Sequence, residues 1–92
     1  MTSGSLRPRF SRQARRQIAR LASAHPELLD RVIEVVSDLV EEPFAGLHKP
    51  EPLRGDLSGS WSVRLSQRDR LIYRVEGGDL LIQSLEGHYE DR

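Results

Sequence analysis

Apolar residues recur along this chain with two different periods, and the change between them divides it into halves. In the first half, Ala14, Ile18, Leu21 and Ala22 follow one another at helical spacing, with arginines on the face between them. Ser11 stands just ahead, where a hydroxyl can cap the helix. The chain restarts at "HPELLD". His25 begins a second helix and Pro26 suits its first position. Leu29, Val32, Ile33, Val36, Leu39 and Val40 then form a stripe with a period of about 3.6 residues, expected in the core. Pro43 closes this helix, because the residue before a proline is driven out of helical geometry. Upstream, Leu6–Phe10 reads as a short edge strand, since Pro8 excludes a central one.

The second half alternates. Trp61, Val63 and Leu65 interleave with Ser62, Arg64 and Ser66, the pattern of a half-buried strand. Gln67–Asp69 form a turn, after which Leu71, Tyr73 and Val75 interleave with Arg70, Ile72 and Arg74. "EGGD" at 76–79 is a hairpin signal, and Leu80–Leu85 supplies a further strand. The expected fold is α+β, in the order β-α-α-β-β-β. Two N-terminal helices pack on one face of a small antiparallel sheet, leaving Arg64 and Arg70 on the other.

The length of 92 residues is that of one domain spanning 1–92, with residues 1–5 read as a flexible tail. The composition, 37% hydrophobic and 30% charged, is that of a globular chain rather than a disordered one. No run reaches the roughly 18 apolar residues that span a bilayer. No apolar leader opens the chain, and there is no cysteine for disulfides or a thiolate zinc site. A cytoplasmic protein without a membrane partner is expected. Formal net charge is +0, but the charge is segregated. Residues 7–20 hold six arginines and no acid, and residues 49–74 hold six basic groups against three acids. Residues 75–92 hold five acids and one arginine. A local basic surface can therefore coexist with a neutral sum.

Residues 43–60 show no obvious regular element, yet contain "KPEP". Such a loop is usually functional or disordered, and its prolines argue for order. Pro50 and Pro52 fix their own backbones and push Lys49 and Glu51 toward extended geometry. A glutamate on a short rod loses little entropy on meeting a substrate, which suits a general base. Arg64 and Arg70 occupy neighbouring strands with outward parity, His88 and Tyr89 follow the last strand, and His48 lies near the rod. A carboxylate, guanidiniums, an imidazole and a phenol together suit metal-free cleavage of RNA. The 2′-hydroxyl is the nucleophile, cations stabilise the phosphoryl oxygens, and an acid protonates the leaving 5′-oxygen. No phosphate-binding glycine loop, metal-ligand cluster or nucleophile elbow appears.

The stretch "PFAGLHKPEPLRGDLSGSWSVRL" at 43–65, followed by "DRLIYRV" at 69–75 and "HY" at 88–89, resembles the Txe/YoeB toxins of the RelE/ParE superfamily, from bacterial type II toxin–antitoxin pairs. The resemblance departs at Ser60, which replaces an aromatic, at Glu86 and Gly87, and in the residues after Tyr89. It implies a RelE-like fold and a ribosome-dependent mRNA endoribonuclease that cuts in the A site. The products would carry a 2′,3′-cyclic or 3′-phosphate and a 5′-hydroxyl. On the matching positions it implies Glu51 as general base and Arg70 as the phosphate-stabilising cation. His88 would be the general acid or a second phosphate contact, Tyr89 would orient the substrate, and Lys49, Arg54 and Arg64 would bind RNA. No metal or cofactor is implied. The implied partners are a Phd/YefM-type antitoxin, the ribosome with its mRNA, and operator DNA through the antitoxin complex alone; a homodimer stays open. Two other functions fit the same scaffold: a weakly active or inactive antitoxin-binding co-repressor, and a ParE-type gyrase inhibitor.

Overall fold

The computed structural model describes residues 5–85. In chain order it contains β1 (Arg7–Phe10), α1 (Arg12–Ala24), α2 (Pro26–Leu39), β2 (Glu51–Pro52), a 3-10 turn over Gly55–Leu57, β3 (Trp61–Arg64), β4 (Arg70–Glu76) and β5 (Asp79–Ser84). The α+β order expected from periodicity is present. One short strand, β2, is added from the stretch that shows no period. Of the expected N-terminal tail, residues 1–4 lie outside the described residues, while the Ser5 hydroxyl donates to Glu41 Oε2 at 2.7 Å.

The strands form a single sheet in the order β1-β5-β4-β3-β2. Pairing is antiparallel from β2 through β5, but β1 runs parallel to β5. The sheet is therefore mixed, which corrects the expectation of a wholly antiparallel one. Alternation shows which face a residue takes but not the direction of its strand. Direction follows from the connections: two helices return the chain from β1, and two tight turns bring β5 back beside it. Pro8 sits on the edge strand, as its missing N–H requires. The β4–β5 turn is Gly77-Gly78, with Gly77 at φ 62, a conformation that costs glycine little.

Ser11 caps α1 and joins it to the sheet. Its Oγ accepts from Ala14 N at 3.0 Å and donates to Gln83 O at 2.8 Å. The buried face of α1 is Ala14, Gln17 and Leu21, with Ala22 exposed rather than inside. Gln17 is inside because its Oε1 accepts the buried Leu85 N–H at 2.8 Å, which has no other partner among the described residues. His25 joins the helices and Pro26 opens α2. Val32, Val35, Val36 and Leu39 of α2 are buried, whereas Ile33 is 57% exposed. The stripe is broader than the surface the sheet offers it, so Ile33 falls on its rim.

These side chains close over Val63, Leu65, Leu71, Tyr73, Leu80, Ile82 and Leu85 to form the core. Tyr73 is buried, and its hydroxyl donates to Pro43 O at 2.6 Å, pinning the chain after α2 to the sheet. Burial pushes its phenol pKa well above the usual range. Phe44 and Trp61 pack with ring centroids 4.9 Å apart and hold the next part of that loop.

A cleft at the sheet edge and its candidate active site

The register brings the charged residues together. Glu51 of β2 stands opposite Ser62 of β3, and Ser62 stands opposite Ile72 of β4. Arg64 stands opposite Arg70 two residues along. Since parity alternates, Glu51, Ser62, Arg64 and Arg70 share the face away from the helices. The Arg70 side chain lies diagonally across β3. Its Nη2 donates to Ser62 Oγ at 2.7 Å and to Glu51 Oε1 at 3.2 Å, and its Nε donates to Ser62 Oγ at 3.1 Å. Ser62 is buried under this guanidinium rather than presented to solvent as alternation suggests. Glu51 keeps a 70% exposed side chain and Arg70 one 34% exposed. The ion pair is thus open to an incoming ligand on the carboxylate side.

Two guanidiniums directly opposite each other repel. Arg70 has the Glu51 carboxylate, whereas Arg64 has no ion-pair partner among the described residues. An anion between them would relieve that repulsion. A cleft of about 440 Å³ opens at this position, lined by Glu51, Arg64, Arg70 and Lys49, with His48 and Ser66 among its walls. Arg31 and Glu34 of α2 complete the far side, paired at 3.6 Å. Among the described residues no three His, Asp or Glu side chains lie close enough together to hold a metal ion.

Of the residues singled out in the sequence, Glu51, Arg70, Lys49 and Arg64 therefore meet in one cleft. Arg54 does not line it; it precedes the 3-10 turn and is exposed. His88 and Tyr89 lie outside the described residues, as do Glu86 and Gly87. Ser60, at the position where an aromatic was expected, is buried and donates to Gln83 Oε1 at 2.8 Å. The expected geometry of the rod is half right. Glu51 is extended and pairs with β3, but Lys49 has φ 54, in the left-handed region. Its N–H donates to Gly46 O at 3.1 Å, so the chain turns tightly just before the proline. Periodicity gave no sign of β2, of Ser62 as a support for Arg70, or of His48 as a wall of the cleft. The one signal available for β2 was the pair of prolines, which suits an edge strand.

The family model described as "YoeB-like toxin of bacterial type II toxin-antitoxin system" matches residues 10–89. The chain belongs to the YoeB-like toxins. Toxin YoeB of Streptomyces coelicolor is 38% identical over 68 residues, covering 74% of this chain and 81% of that protein. Toxin YoeB of Synechocystis is 42% identical over 64 residues, covering 70% and 74%. Among solved structures, a YoeB/ParE toxin from Agrobacterium tumefaciens superposes with TM-score 0.86 at 28% identity, over 91% of this chain and 100% of that one. A YoeB–YefM complex from Staphylococcus aureus contains a chain that superposes with TM-score 0.83 at 27% identity, over 91% and 98%. A YoeB dimer from the same organism has a similar chain, with TM-score 0.83 at 27% identity, over 92% and 99%. This YoeB-like toxin is thus one member of a toxin–antitoxin system, with the fold of its relatives. Among its described residues no helix is long and apolar enough to cross a membrane.

Proposed function

We propose that this toxin is a ribosome-dependent mRNA endoribonuclease that cleaves in the A site and halts translation in the cytoplasm. The observation that carries the reading is the exposed Glu51–Arg70 pair at 3.2 Å, in a cleft that Lys49 and Arg64 also line. Glu51 takes the proton of the 2′-hydroxyl as that oxygen attacks the adjacent phosphorus. Arg70, released from Glu51 by the arriving phosphate, turns its guanidinium to the phosphoryl oxygens, a planar contact that lysine does not reproduce. Lys49 and Arg64 add positive charge around the developing anion, and Arg54 extends RNA contact outside the cleft. His88 protonates the leaving 5′-oxygen and Tyr89 orients the nucleotide, as the family resemblance implies. The bond broken is P–O5′. The products are a 2′,3′-cyclic phosphate and a 5′-hydroxyl.

Dependence on the ribosome fits the charge. A chain of net charge +0 has little long-range attraction for RNA. An mRNA already held in the decoding site supplies the proximity and orientation that the open cleft does not. The neutralising partner is a Phd/YefM-type antitoxin, whose acidic segment would cover the basic cleft and which carries operator binding for the complex. The Staphylococcus aureus YoeB–YefM complex supports that partner, and the YoeB dimer keeps self-association in view.

The test is cleavage of a defined mRNA by purified protein, with and without programmed ribosomes, wild type beside Glu51→Gln. A cut at the A-site codon that needs ribosomes and disappears in the variant is expected. No cut under either condition, from folded protein that still binds its antitoxin, would replace this reading with that of an antitoxin-binding co-repressor.

A further inference from the structure

His48 stands where the chain leaves the helical layer for the site. Its Nε2 lies 2.7 Å from Oδ2 of Asp38, near the end of α2, and its side chain is only 5% exposed. Opposite an ionised carboxylate, Nε2 carries the proton and donates. His48 lines the catalytic cleft and also a second cavity of about 260 Å³ between Asp38, Leu39, Glu41, Glu42 and the 45–47 loop. The next residue, Lys49, has φ 54, a left-handed backbone that is strained in a residue other than glycine. Such strain persists only where surrounding bonds over-determine it. Here those bonds are Lys49 N to Gly46 O at 3.1 Å and His48 to Asp38. Immediately downstream, the prolines transmit the direction set at Lys49 rigidly to Glu51.

We propose that the Asp38–His48 pair is a clamp that positions Glu51, and that His48 is a positioning residue rather than a catalytic one. The near-complete burial of His48 decides between those roles. Anchored to α2, the imidazole holds the left-handed turn, and the turn aims the rod so that the Glu51 carboxylate meets Arg70. Otherwise the Glu51 backbone is held by a two-residue strand and the Leu53 N–H bond to Ser60 O that follows it. The inference rests on the reading of Glu51 as the base.

The chemistry of the clamp selects the variants. Glutamine places an amide N–H near the position of Nε2 and keeps the bond to Asp38. Asparagine is too short to reach it, and alanine has no donor. His48→Ala, His48→Asn and Asp38→Ala are expected to lower kcat on programmed ribosomes about 10- to 100-fold, the scale of misplacing a catalytic group by about 1 Å. KM should change little, and His48→Gln should stay near wild type. Asp38→Ala combined with His48→Ala should be no worse than either alone. A second readout needs no activity: the Arg70 Nε–H resonance of the free protein. It should shift or broaden in His48→Ala and His48→Asn and stay in place in His48→Gln. An Arg70 resonance identical in all variants, or equal kcat in wild type and His48→Ala, overturns the clamp. So does a loss of activity that merely tracks the folded fraction and is not rescued by glutamine. If wild type does not cut on ribosomes, the endoribonuclease reading fails, and the Arg70 resonance still decides the clamp.

Discussion

β3 and β4 are the same strands on both faces of the sheet, yet the faces are built by different rules. On the inner face Val63, Leu71 and Tyr73 are fully buried against both helices. Apart from the Tyr73 hydroxyl bond to Pro43 O, each of these contacts is weak and nonspecific, and many of them share the task. On the outer face Arg70 donates twice to Ser62 and once to Glu51, the last bond being an open ion pair, and Arg64 stands opposite Arg70. Few contacts exist there, and each fixes a particular atom. Stability is thus expected to reside on one face and chemistry on the other, separated by a single peptide's worth of alternation.

The largest effect expected is on the outer face. Glu51→Gln and Arg70→Leu should each lower A-site cleavage by about 10²- to 10⁴-fold, the usual contribution of a general base or an anion-stabilising group. Melting of Glu51→Gln should stay close to wild type, because an exposed ion pair is worth about 1 kcal/mol or less. If this variant melts far lower, the two faces are not independent. On the inner face, Leu71→Ala should cost about 2–5 kcal/mol in urea unfolding, with activity per folded molecule unchanged.

Tyr73 sharpens the comparison through pH. Burial raises its phenol pKa, so the fold favours the neutral form. That contribution is complete below about pH 10, the unfolded value, and is lost as pH rises from there toward the folded value. Wild type should therefore lose stability in alkali, while Tyr73→Phe should lack this component. At neutral pH, removing the bond to Pro43 O should cost about 0.5–1.5 kcal/mol. Ser11→Ala should cost about 1 kcal/mol through the lost cap. Its effect on cleavage should be nil, because the Ser11 side chain ties α1 to β5, which β4 separates from the β3 and β2 strands that carry Arg64 and Glu51.

Much of the inner face was legible before any coordinates. Val63, Leu71 and Tyr73 alternate cleanly, and a period of two admits only two faces. The helical stripes were less decisive. Val35 took the place expected for Ile33, and Gln17 the place expected for Ala22, because a helix can roll about its axis by part of a turn without disturbing its period. Gln17 is inside for a hydrogen bond that hydropathy does not register. At the site, the residue types were readable from the "KPEP" stretch and the arginine parity. Ser62 was not, and His48 was legible only by its nearness to the rod, since a serine or a histidine acquires its role from whichever side chain lies against it.

The sequence by itself determined the two kinds of secondary structure, their order, the inward face of β3 and β4, and the stiffness of the segment carrying Glu51. These follow from local sterics and from the spacing of apolar side chains, which act over a few residues. Only the tertiary structure decided the parallel placement of β1, the left-handed turn at Lys49, and the meeting of Glu51 with Arg70 across Ser62. It also set Asp38 against His48, ten residues further along. Each of these depends on the relative positions of segments that are not neighbours in their helix or strand. Such positions are fixed by packing and register, whose energies are shared among many residues and written in no single one.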